Sequence, residues 1–337
     1  METPRSKIAW AAGGFVVGML LLLFGGSFVQ YHLGMWGLVI TEIGILAFAL
    51  LSALASRLDL RKVFRIRRGA AWEWRGCLYI YLGTFFLTYV CVLLLAALFP
   101  QMTEVSQDLS SFVTSAPYLF ALIAVSILPG ICEEAWHRGT LLASLGSIRS
   151  VAVRVLIMGI IFGVFHLDLF RFLPTMLLGM GLSYMRIKTD NMLMNMTFHA
   201  LNNLFSLSVT FLLAPLVENM GAMGATESVT DPAANGIVLS AMVIFALAAG
   251  SLFIYLGRTR LNTPPSRLAP PSGSPLVLLP GASPLQLPSA AVRSASETAR
   301  RRRTIIVLIV CCSVALIACV GCFLGGLLVT LGSGVGA

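Results

Sequence analysis

Long apolar runs, each bounded by charged or turn-forming residues, alternate with short polar stretches along most of the chain. A helix needs about 20 apolar residues to cross the ~30 Å hydrocarbon layer of a bilayer. Apolar runs near that length predict nine membrane-spanning helices. They cover residues 8–29, 36–56, 77–99, 118–146, 151–167, 172–187, 191–215, 236–257 and 304–331. The pattern therefore predicts an all-α, polytopic membrane bundle with about eight core helices and one C-terminal span.

The composition supports a membrane protein and excludes a water-soluble globular domain. Of the 337 residues, 58% are hydrophobic and only 11% are charged, and the mean hydropathy is +0.90. Soluble domains carry about 25% charged residues. Little length is therefore left for a soluble domain.

The net charge of +9 could suggest nucleic-acid binding, but the positions of the basic residues indicate a topology instead. With a cytoplasmic N-terminus, every Lys and Arg except Arg138 and Arg171 falls in a cytoplasmic segment. Cytoplasmic loops of membrane proteins are enriched in Lys and Arg. The opposite loops carry the acidic residues Glu104, Asp108, Glu218, Glu227 and Asp231. We therefore predict a cytoplasmic N-terminus and no nucleic-acid partner.

Four regions follow from these patterns. Residues 258–303 contain eight of the fifteen Pro residues and end in four consecutive Arg residues, a composition typical of a disordered cytoplasmic linker. We expect N-terminal transmembrane helices over 1–117, a core over 118–257, this Pro/Arg-rich linker over 258–303 and a C-terminal transmembrane helix over 304–337.

Three polar motifs lie inside the predicted spans of the core. A charged group at mid-bilayer costs at least ~2.5 kcal/mol, so each needs a partner, a water-filled cavity or a function. The motifs contain Glu133, Glu134, His137 and Arg138, then Phe162 and His166, then His199, Asn202 and Asn203. Glu42, in the second predicted span, either pairs with a neighbouring helix or meets water at the outer interface.

The spacing of the first motif separates the roles of its two acids. Glu133 and Glu134 are about 100° apart around a helix, so they cannot face the same point. Glu134 and Arg138 are four residues apart and are predicted to form an ion pair, which leaves the Glu133 carboxylate free to face a cavity. Two alternatives remain: His137 contacts Glu133, or the whole cluster is polar packing between helices.

The other two motifs supply groups that suit hydrolysis. Phe162 and His166 share one helical face, as do His199 and Asn203. A carboxylate and an imidazole activate a water molecule as general base, whereas a His and an Asn one turn apart hydrogen-bond an oxyanion. If the three helices converge, the set of side chains can hydrolyse an amide.

The order EExxxR, FxxxH and HxxxN on successive helices resembles the CPBP family of intramembrane proteases, which includes CAAX prenyl endopeptidases and the bacteriocin-associated Abi proteins. The similarity covers about residues 118–215, and all three motifs are complete. The resemblance implies that Glu133 and His166 polarise the attacking water and that His199 and Asn203 hold the oxyanion. It further implies that Glu134 and Arg138 brace the site and that Phe162 is packing.

The expected substrate is a peptide that is membrane-embedded, lipidated or hydrophobic. The lipid bilayer is the other expected partner, and the expected location is a bacterial cytoplasmic membrane. One carboxylate and two imidazoles are also ligand types of catalytic zinc or iron. HExxH is absent, however, and no two His residues are four apart, so we predict a metal-free site with no cofactor.

Two other classes of protein use buried polar residues of this kind. A proton- or ion-coupled transporter would use Glu133, His166 and His199 to relay protons or bind an ion. A non-catalytic membrane interaction protein would carry a degenerate site, although the complete motifs argue against that interpretation. The sequence does not determine the oligomeric state.

Overall fold

The computed structural model describes residues 4–99, 101–213 and 232–263. Within these ranges the chain forms helices joined by short turns and contains no strand, which confirms the all-α class. The predicted C-terminal span and nearly all of the predicted linker lie outside the described residues, so the division of the chain into four regions stays a prediction.

The helices follow the predicted apolar runs closely. They are Pro4–Leu20 (α1), Ser27–Ala55 (α2), Leu60–Val63 (α3), Ala71–Leu98 (α4), Gln101–Thr114 (α5), Tyr118–Ser144 (α6), Val151–Phe165 (α7), Leu169–Thr189 (α8), Met192–Ser208 (α9) and Pro232–Asn262 (α10). A π-helical segment, Leu21–Gly26, joins α1 to α2, and another, Val209–Leu213, continues α9. The last described helix runs five residues past its predicted end at 257.

Four helical runs among the described residues are long and apolar enough to cross a membrane. They are Ile8–Ala55, Ala71–Leu98, Tyr118–Ser144 and Gly236–Asn262. The apolar helix Val151–Phe165 has only 15 residues, a length of about 22 Å. The protein is therefore a polytopic membrane protein, and the expected count of eight core spans stays a prediction.

The first of these runs contains a reversal of direction. Gly34 has a φ of 53°, in the left-handed region that glycine adopts without steric cost. Beyond it, a Cβ atom on Gly37 would lie 2.6 Å from the Cα of Gln30, so the backbones pass close to each other. The Gln30 side chain donates a hydrogen bond to Thr41 Oγ1 at 3.3 Å. The predicted spans 8–29 and 36–56 are thus two limbs of a hairpin.

The segment between residues 99 and 118 differs from its prediction. It was expected to be an outer loop, but Gln101–Thr114 is helical. Its apolar residues Val105, Leu109, Phe112 and Val113 recur at helical spacing, and Val113 is buried. The apolar stripe is too narrow to appear in a search for continuous apolar runs, which is why the helix was missed.

Glycines allow the motif-bearing helices to approach closely. A Cβ atom on Gly130 of α6 would lie 3.1 Å from Met196 O of α9, and one on Gly163 of α7 would lie 2.7 Å from Phe172 O of α8. Small residues at such crossings let membrane helices pack backbone against backbone. The first contact brings the motifs of α6 and α9 towards each other, and the second packs α7, which carries Phe162, against α8.

Arg171, one of the two exceptions to the charge pattern, lies in the first turn of α8. Its side chain is exposed, and its backbone N–H donates to the Asp168 carboxylate that caps the helix. This basic residue therefore sits at a helix end, where a charge is less costly than at mid-bilayer.

Candidate active site

The first motif lies where the regular geometry of α6 is interrupted on both sides. Leu128–Glu134 is α-helical, whereas Leu122–Ile127 before it and Ala135–Leu141 after it are π-helical. Pro129 has no backbone N–H to complete the regular ladder. π-helical turns are rare and occur frequently at functional sites. The glutamate pair thus lies between two widened turns.

The predicted ion pair between Glu134 and Arg138 is present. Arg138 Nη1 donates to Glu134 Oε1 at 2.6 Å, and both side chains are fully buried. Arg138 Nη2 donates to Gly179 O at 3.1 Å, and the guanidinium lies 4.2 Å from the centre of the Phe162 ring. The charge of Arg138 is therefore satisfied by a carboxylate, a carbonyl and an aromatic face.

His199 on α9 lies between the two glutamates of α6. Its Nδ1 atom is 3.0 Å from Glu134 Oε1, and its Nε2 atom is 3.9 Å from Glu133 Oε2. Because a carboxylate only accepts, Nδ1 carries a proton and donates to Glu134. The Nε2 atom then either accepts a proton as neutral imidazole or donates one as imidazolium. Helices α6 and α9 are thus joined at the position where the sequence predicts a reaction centre.

Glu133 is the carboxylate of the cluster that remains without a bond. It is 7% exposed, and its Oε2 atom is buried with no hydrogen-bond partner among the described residues. A buried carboxylate oxygen in this state is costly unless water or a substrate satisfies it. Glu133 thus has an unsatisfied oxygen, and its predicted position facing a cavity stays a prediction.

His166 reaches the same region from the C-terminal end of α7. Its Nδ1 atom is 2.9 Å from Phe162 O, so the ring donates from Nδ1 and leaves Nε2 as an acceptor. The Phe162 ring lies 4.9 Å from the His166 ring and 5.5 Å from the His199 ring, centre to centre. The two imidazoles therefore share one phenyl ring as their support.

Asn203 lies one turn after His199, but its contact is with another helix. Its Nδ2 atom donates to Val125 O at 3.2 Å, in the π-helical part of α6, and its side chain is half-buried. An amide nitrogen has two N–H groups, so one remains for a further acceptor. The structure thus joins Glu133, Glu134, Arg138 and His199 directly, adds His166 through Phe162, and ties Asn203 to Val125.

His137 does not contact the Glu133 carboxylate, which was one of the alternatives for the first motif. Its Nδ1 atom lies 2.8 Å from the Glu133 backbone oxygen instead. The ring packs edge-on against Phe162 and Phe165, at 5.0 and 4.8 Å between centres. His137 is therefore part of the packing behind the motif.

Glu42 is a buried acid of the region that the sequence did not connect to the motifs. It lies on α2, is 3% exposed, and is within range of the charge of Glu133. An acidic residue inside an apolar run marks Glu42 in the sequence as a residue that needs a partner. Which group lies beside it depends on how α2 packs against α6. Sequence alone left open whether it met a helix or water, and the structure places it against a helix.

Two further features of the described residues bear on chemistry. No group of three or more His, Cys, Asp and Glu side chains within them is arranged to hold a metal ion. A cavity of about 230 Å³ lies between the limbs of the hairpin and Trp136. Its lining is apolar except for Thr41 and includes no titratable side chain, so it supplies no catalytic group.

The segment that carries the three motifs is similar to one known protein family. Residues 115–205 match the family described as type II CAAX prenyl endopeptidase, Rce1-like. The matched segment includes all three motifs, and it spans about a quarter of the chain. This agrees with the CAAX protease resemblance of the sequence. Neither the curated proteins nor the solved structures include a match to the chain.

Proposed function

We propose that this protein is a CPBP-type intramembrane endopeptidase that hydrolyses a peptide bond in a membrane-associated, lipidated or hydrophobic substrate. The observation that carries the proposal is the position of His199 between Glu133 and Glu134, inside the segment that matches the endopeptidase family. A buried acid beside an imidazole, in a chain that spans the membrane, suits acid–base chemistry on a substrate held within the bilayer.

In the proposed mechanism Glu133 is the general base. It takes a proton from a water molecule whose second hydrogen bond goes to the free Nε2 of His166, and the water oxygen attacks the scissile carbonyl carbon. The C=O electron pair moves to oxygen and gives a tetrahedral oxyanion. The oxyanion accepts hydrogen bonds from the Nε2–H of His199, which acts as imidazolium, and from the free N–H of Asn203. When the intermediate collapses, the C–N bond breaks and Glu133 returns the proton to the departing amine.

The other residues of the cluster hold this arrangement. Glu134 orients His199 through Nδ1, and Arg138 fixes Glu134 while contacting Phe162. Phe162 then supports both imidazole rings. Preorganised donors of this kind cost no reorganisation at the moment of reaction, which is the role we assign to Glu134 and Arg138.

The substrate class follows from the family and from the location of the site. The family name specifies a CAAX prenyl endopeptidase, whose substrate carries a lipid chain. Burial of the cluster among membrane helices favours a substrate that enters from the bilayer. We therefore propose a membrane-anchored or lipid-modified peptide, bound without a cofactor, by a protein of a bacterial cytoplasmic membrane.

The test compares membrane peptides from cells that produce wild type, Glu133→Gln or Asp108→Asn. Asp108 is exposed on α5, so Asp108→Asn removes one acidic charge away from the cluster and is the matched control. We expect mass spectrometry to find membrane peptides that lack their C-terminal residues in cells with wild type or Asp108→Asn. The same peptides should keep those residues in cells with Glu133→Gln, at equal levels of the three proteins.

The same variants separate the proposal from a transporter that uses these residues. A proton- or ion-coupled carrier predicts pH-linked flux in liposomes that Glu133→Gln abolishes, with identical peptide patterns for all three proteins. Those two results together would contradict the endopeptidase proposal and support a transport function.

A further inference from the structure

Glu42 is a buried acid outside the segment that matches the endopeptidase family. It lies on α2, one turn before Ile45 and seven residues before Ala49, which share its helical face. Ile45 and Ala49 pack in one apolar core with Cys132 and Trp136 of α6. The face of α2 that carries Glu42 is thus turned towards the motif helix.

The Glu42 carboxyl group lacks the partners that a buried ionised acid requires. Its Oε2 atom is buried and has no hydrogen-bond partner among the described residues. The charge that acts on it is that of Glu133, and both acids also act on the Cys132 thiol. A carboxylate without a cation is expensive inside a membrane, and two neighbouring carboxylates repel each other.

Glu42 and Glu133 each lack a hydrogen-bond partner that the other can supply. Glu133 Oε2 is a buried acceptor without a donor, and a protonated Glu42 carboxyl group is a donor without an acceptor. Three groups near Glu133 can carry positive charge: His199, Arg138 and Arg171. Arg138 is already bound to Glu134, and His199 Nε2 lies 3.9 Å from Glu133 Oε2, beyond hydrogen-bond distance. A protonated Glu42 carboxyl group, linked to Glu133 Oε2 through one water molecule, satisfies both oxygens and leaves one net charge on the pair.

We propose that Glu42 is a positioning residue for Glu133: its protonated carboxyl group donates a hydrogen bond to a water molecule, which in turn donates to Glu133 Oε2. The bond holds one oxygen of Glu133 and leaves the other for the attacking water. This inference rests on the proposed endopeptidase function. It adds a contribution from the N-terminal hairpin, which the family match does not cover.

The kinetic test compares Glu42→Leu, Glu42→Gln and Thr41→Val on an internally quenched, S-farnesylated peptide in detergent micelles. Leucine fills the space but donates nothing, whereas the glutamine amide donates a hydrogen bond in place of the acid. We expect Glu42→Leu to lower kcat at least ~10-fold with KM within about twofold, and Glu42→Gln to stay within about threefold of wild type.

Thr41→Val is the control for the loss of a polar side chain on α2, because, among the described residues, the Thr41 hydroxyl bonds only within the hairpin, to Gly37 O and Gln30 Nε2. It should keep wild-type kcat and KM. Wild-type kcat in Glu42→Leu, or equal losses in Glu42→Leu and Glu42→Gln, would overturn the proposal. If Glu42→Leu does not fold, Glu42→Gln and the spectroscopic test below decide.

Infrared spectroscopy tests the hydrogen bond without any cleavage assay. We expect wild type to show a carboxylic-acid C=O band that disappears in Glu42→Gln and shifts in Glu133→Gln, where the acceptor has lost its charge. Absence of the band, or a band insensitive to Glu133→Gln, refutes the pairing even if the enzyme is active. If no peptide is cleaved but the band behaves as expected, the endopeptidase function fails while the pairing stands.

Discussion

Arg138 is the residue whose loss should damage the cluster most. Arg138→Met removes the cation from a fully buried pair and leaves Glu134 as an uncompensated buried charge. Breaking such a pair costs about 3–5 kcal/mol. We expect a loss of that size in the free energy of unfolding, measured by denaturant titration in micelles.

The double variant Glu134→Gln/Arg138→Met distinguishes charge imbalance from packing. It removes both charges, so it should be more stable than Arg138→Met alone. It should nevertheless cleave peptide poorly, because His199 loses the carboxylate that accepts from Nδ1. Equal instability of the single and double variants would mean that the contacts of Arg138 with Gly179 and Phe162 matter more than its charge.

Asn203 is predicted to stabilise the oxyanion, and its rate effect has a characteristic size. Removal of one oxyanion donor costs about 10² to 10³ in kcat. We expect Asn203→Ala to lower kcat by that factor without abolishing cleavage, and Glu133→Gln to be worse. Asn202→Ala is the comparison: Asn202 is the adjacent amide one position off the shared face and donates to Asn203 Oδ1 at 3.5 Å, so its loss should lower kcat much less than Asn203→Ala does. Unchanged kcat in Asn203→Ala would reduce Asn203 to a helix–helix contact with Val125.

The metal-free prediction is checked by a membrane-permeant chelator. Activity should be unchanged after chelation, because the proposed mechanism takes its proton acceptor and oxyanion donors from side chains. Inhibition that zinc reverses would instead assign Glu133, His166 and His199 as metal ligands.

At the scale of single residues, sequence predicted contacts within one helix better than contacts between helices. The Glu134–Arg138 pair was predictable because residues four apart are neighbours on any helix. The hydrogen bonds of Asn203 with Val125 and of His199 with Glu134 were not, because they depend on how the helices cross. The contact of His137 with Glu133 O lies within one helix, but it depends on the rotamer of His137. The surroundings of Glu42 were not predictable either, because they depend on how α2 packs against α6.

The crossing of α6 and α9 depends on a glycine. A Cβ atom on Gly130 would lie 2.9 Å from Ala200 Cβ and 3.1 Å from Met196 O. Gly130→Val should therefore push the helices apart, with a cost of about 1–3 kcal/mol for overpacking, and should separate His199 from the glutamates. We expect lower stability together with a lower kcat.

Gly44→Val is the matched control, because nothing lies within 4 Å of a Cβ atom placed on Gly44. The same substitution there should leave stability and kcat near wild type. If both variants behave alike, the effect belongs to glycine in membrane helices generally and not to the crossing at Gly130.

Asp190, between α8 and α9, forms ion pairs outside the membrane spans, one of them with the loop before α4. Asp190 bonds to Arg186 and to Arg65. Burial raises the pKa of Asp190, but its hydrogen bonds with the two Arg residues outweigh this and hold the pKa below its usual value. A carboxyl group with a lowered folded-state pKa stabilises the fold above its unfolded pKa and loses that contribution as pH falls through the folded value.

Asp190→Asn should therefore be less stable than wild type at neutral pH, by at most about 1 kcal/mol because Asp190 is half-exposed. The difference should vanish in acid, once Asp190 is protonated. Asparagine tolerates the left-handed backbone found at this position, so the variant isolates the charge. Unfolding at neutral and acidic pH measures the effect, and a difference that persists in acid would assign it to the backbone.

At the scale of elements, the apolar runs predicted where helices lie, but the sequence did not predict where the helices are interrupted by π-helical turns. The apolar runs predicted the helical limbs of the hairpin and helices α4, α6, α7, α8, α9 and α10 to within a few residues. The π-helical turns around Leu128–Glu134 gave no recognisable signal, because they arise where tertiary contacts and Pro129 displace the backbone hydrogen bonds. Helix α5 was missed because its apolar stripe is narrow.

At the scale of the whole molecule, the distribution of charge predicts how the protein is oriented. Arg65, Arg186 and Lys188 cluster at one end of the described helices, through contacts such as Arg65 with Asp190, whereas Asp108 lies on α5 between α4 and α6. The excess of Lys and Arg on cytoplasmic loops then puts the Asp190 junction in the cytoplasm and α5 on the opposite side.

Cysteine labelling in intact cells tests this orientation. A membrane-impermeant maleimide should label Asp108→Cys before the membrane is opened, and Lys62→Cys only afterwards, each measured against the parent chain. Both residues are exposed, so access depends on the side of the membrane and not on burial. The reverse pattern would place the basic segments outside. The Glu133 cluster would survive that result, because its contacts depend on helix packing, but the side from which a substrate reaches it would change.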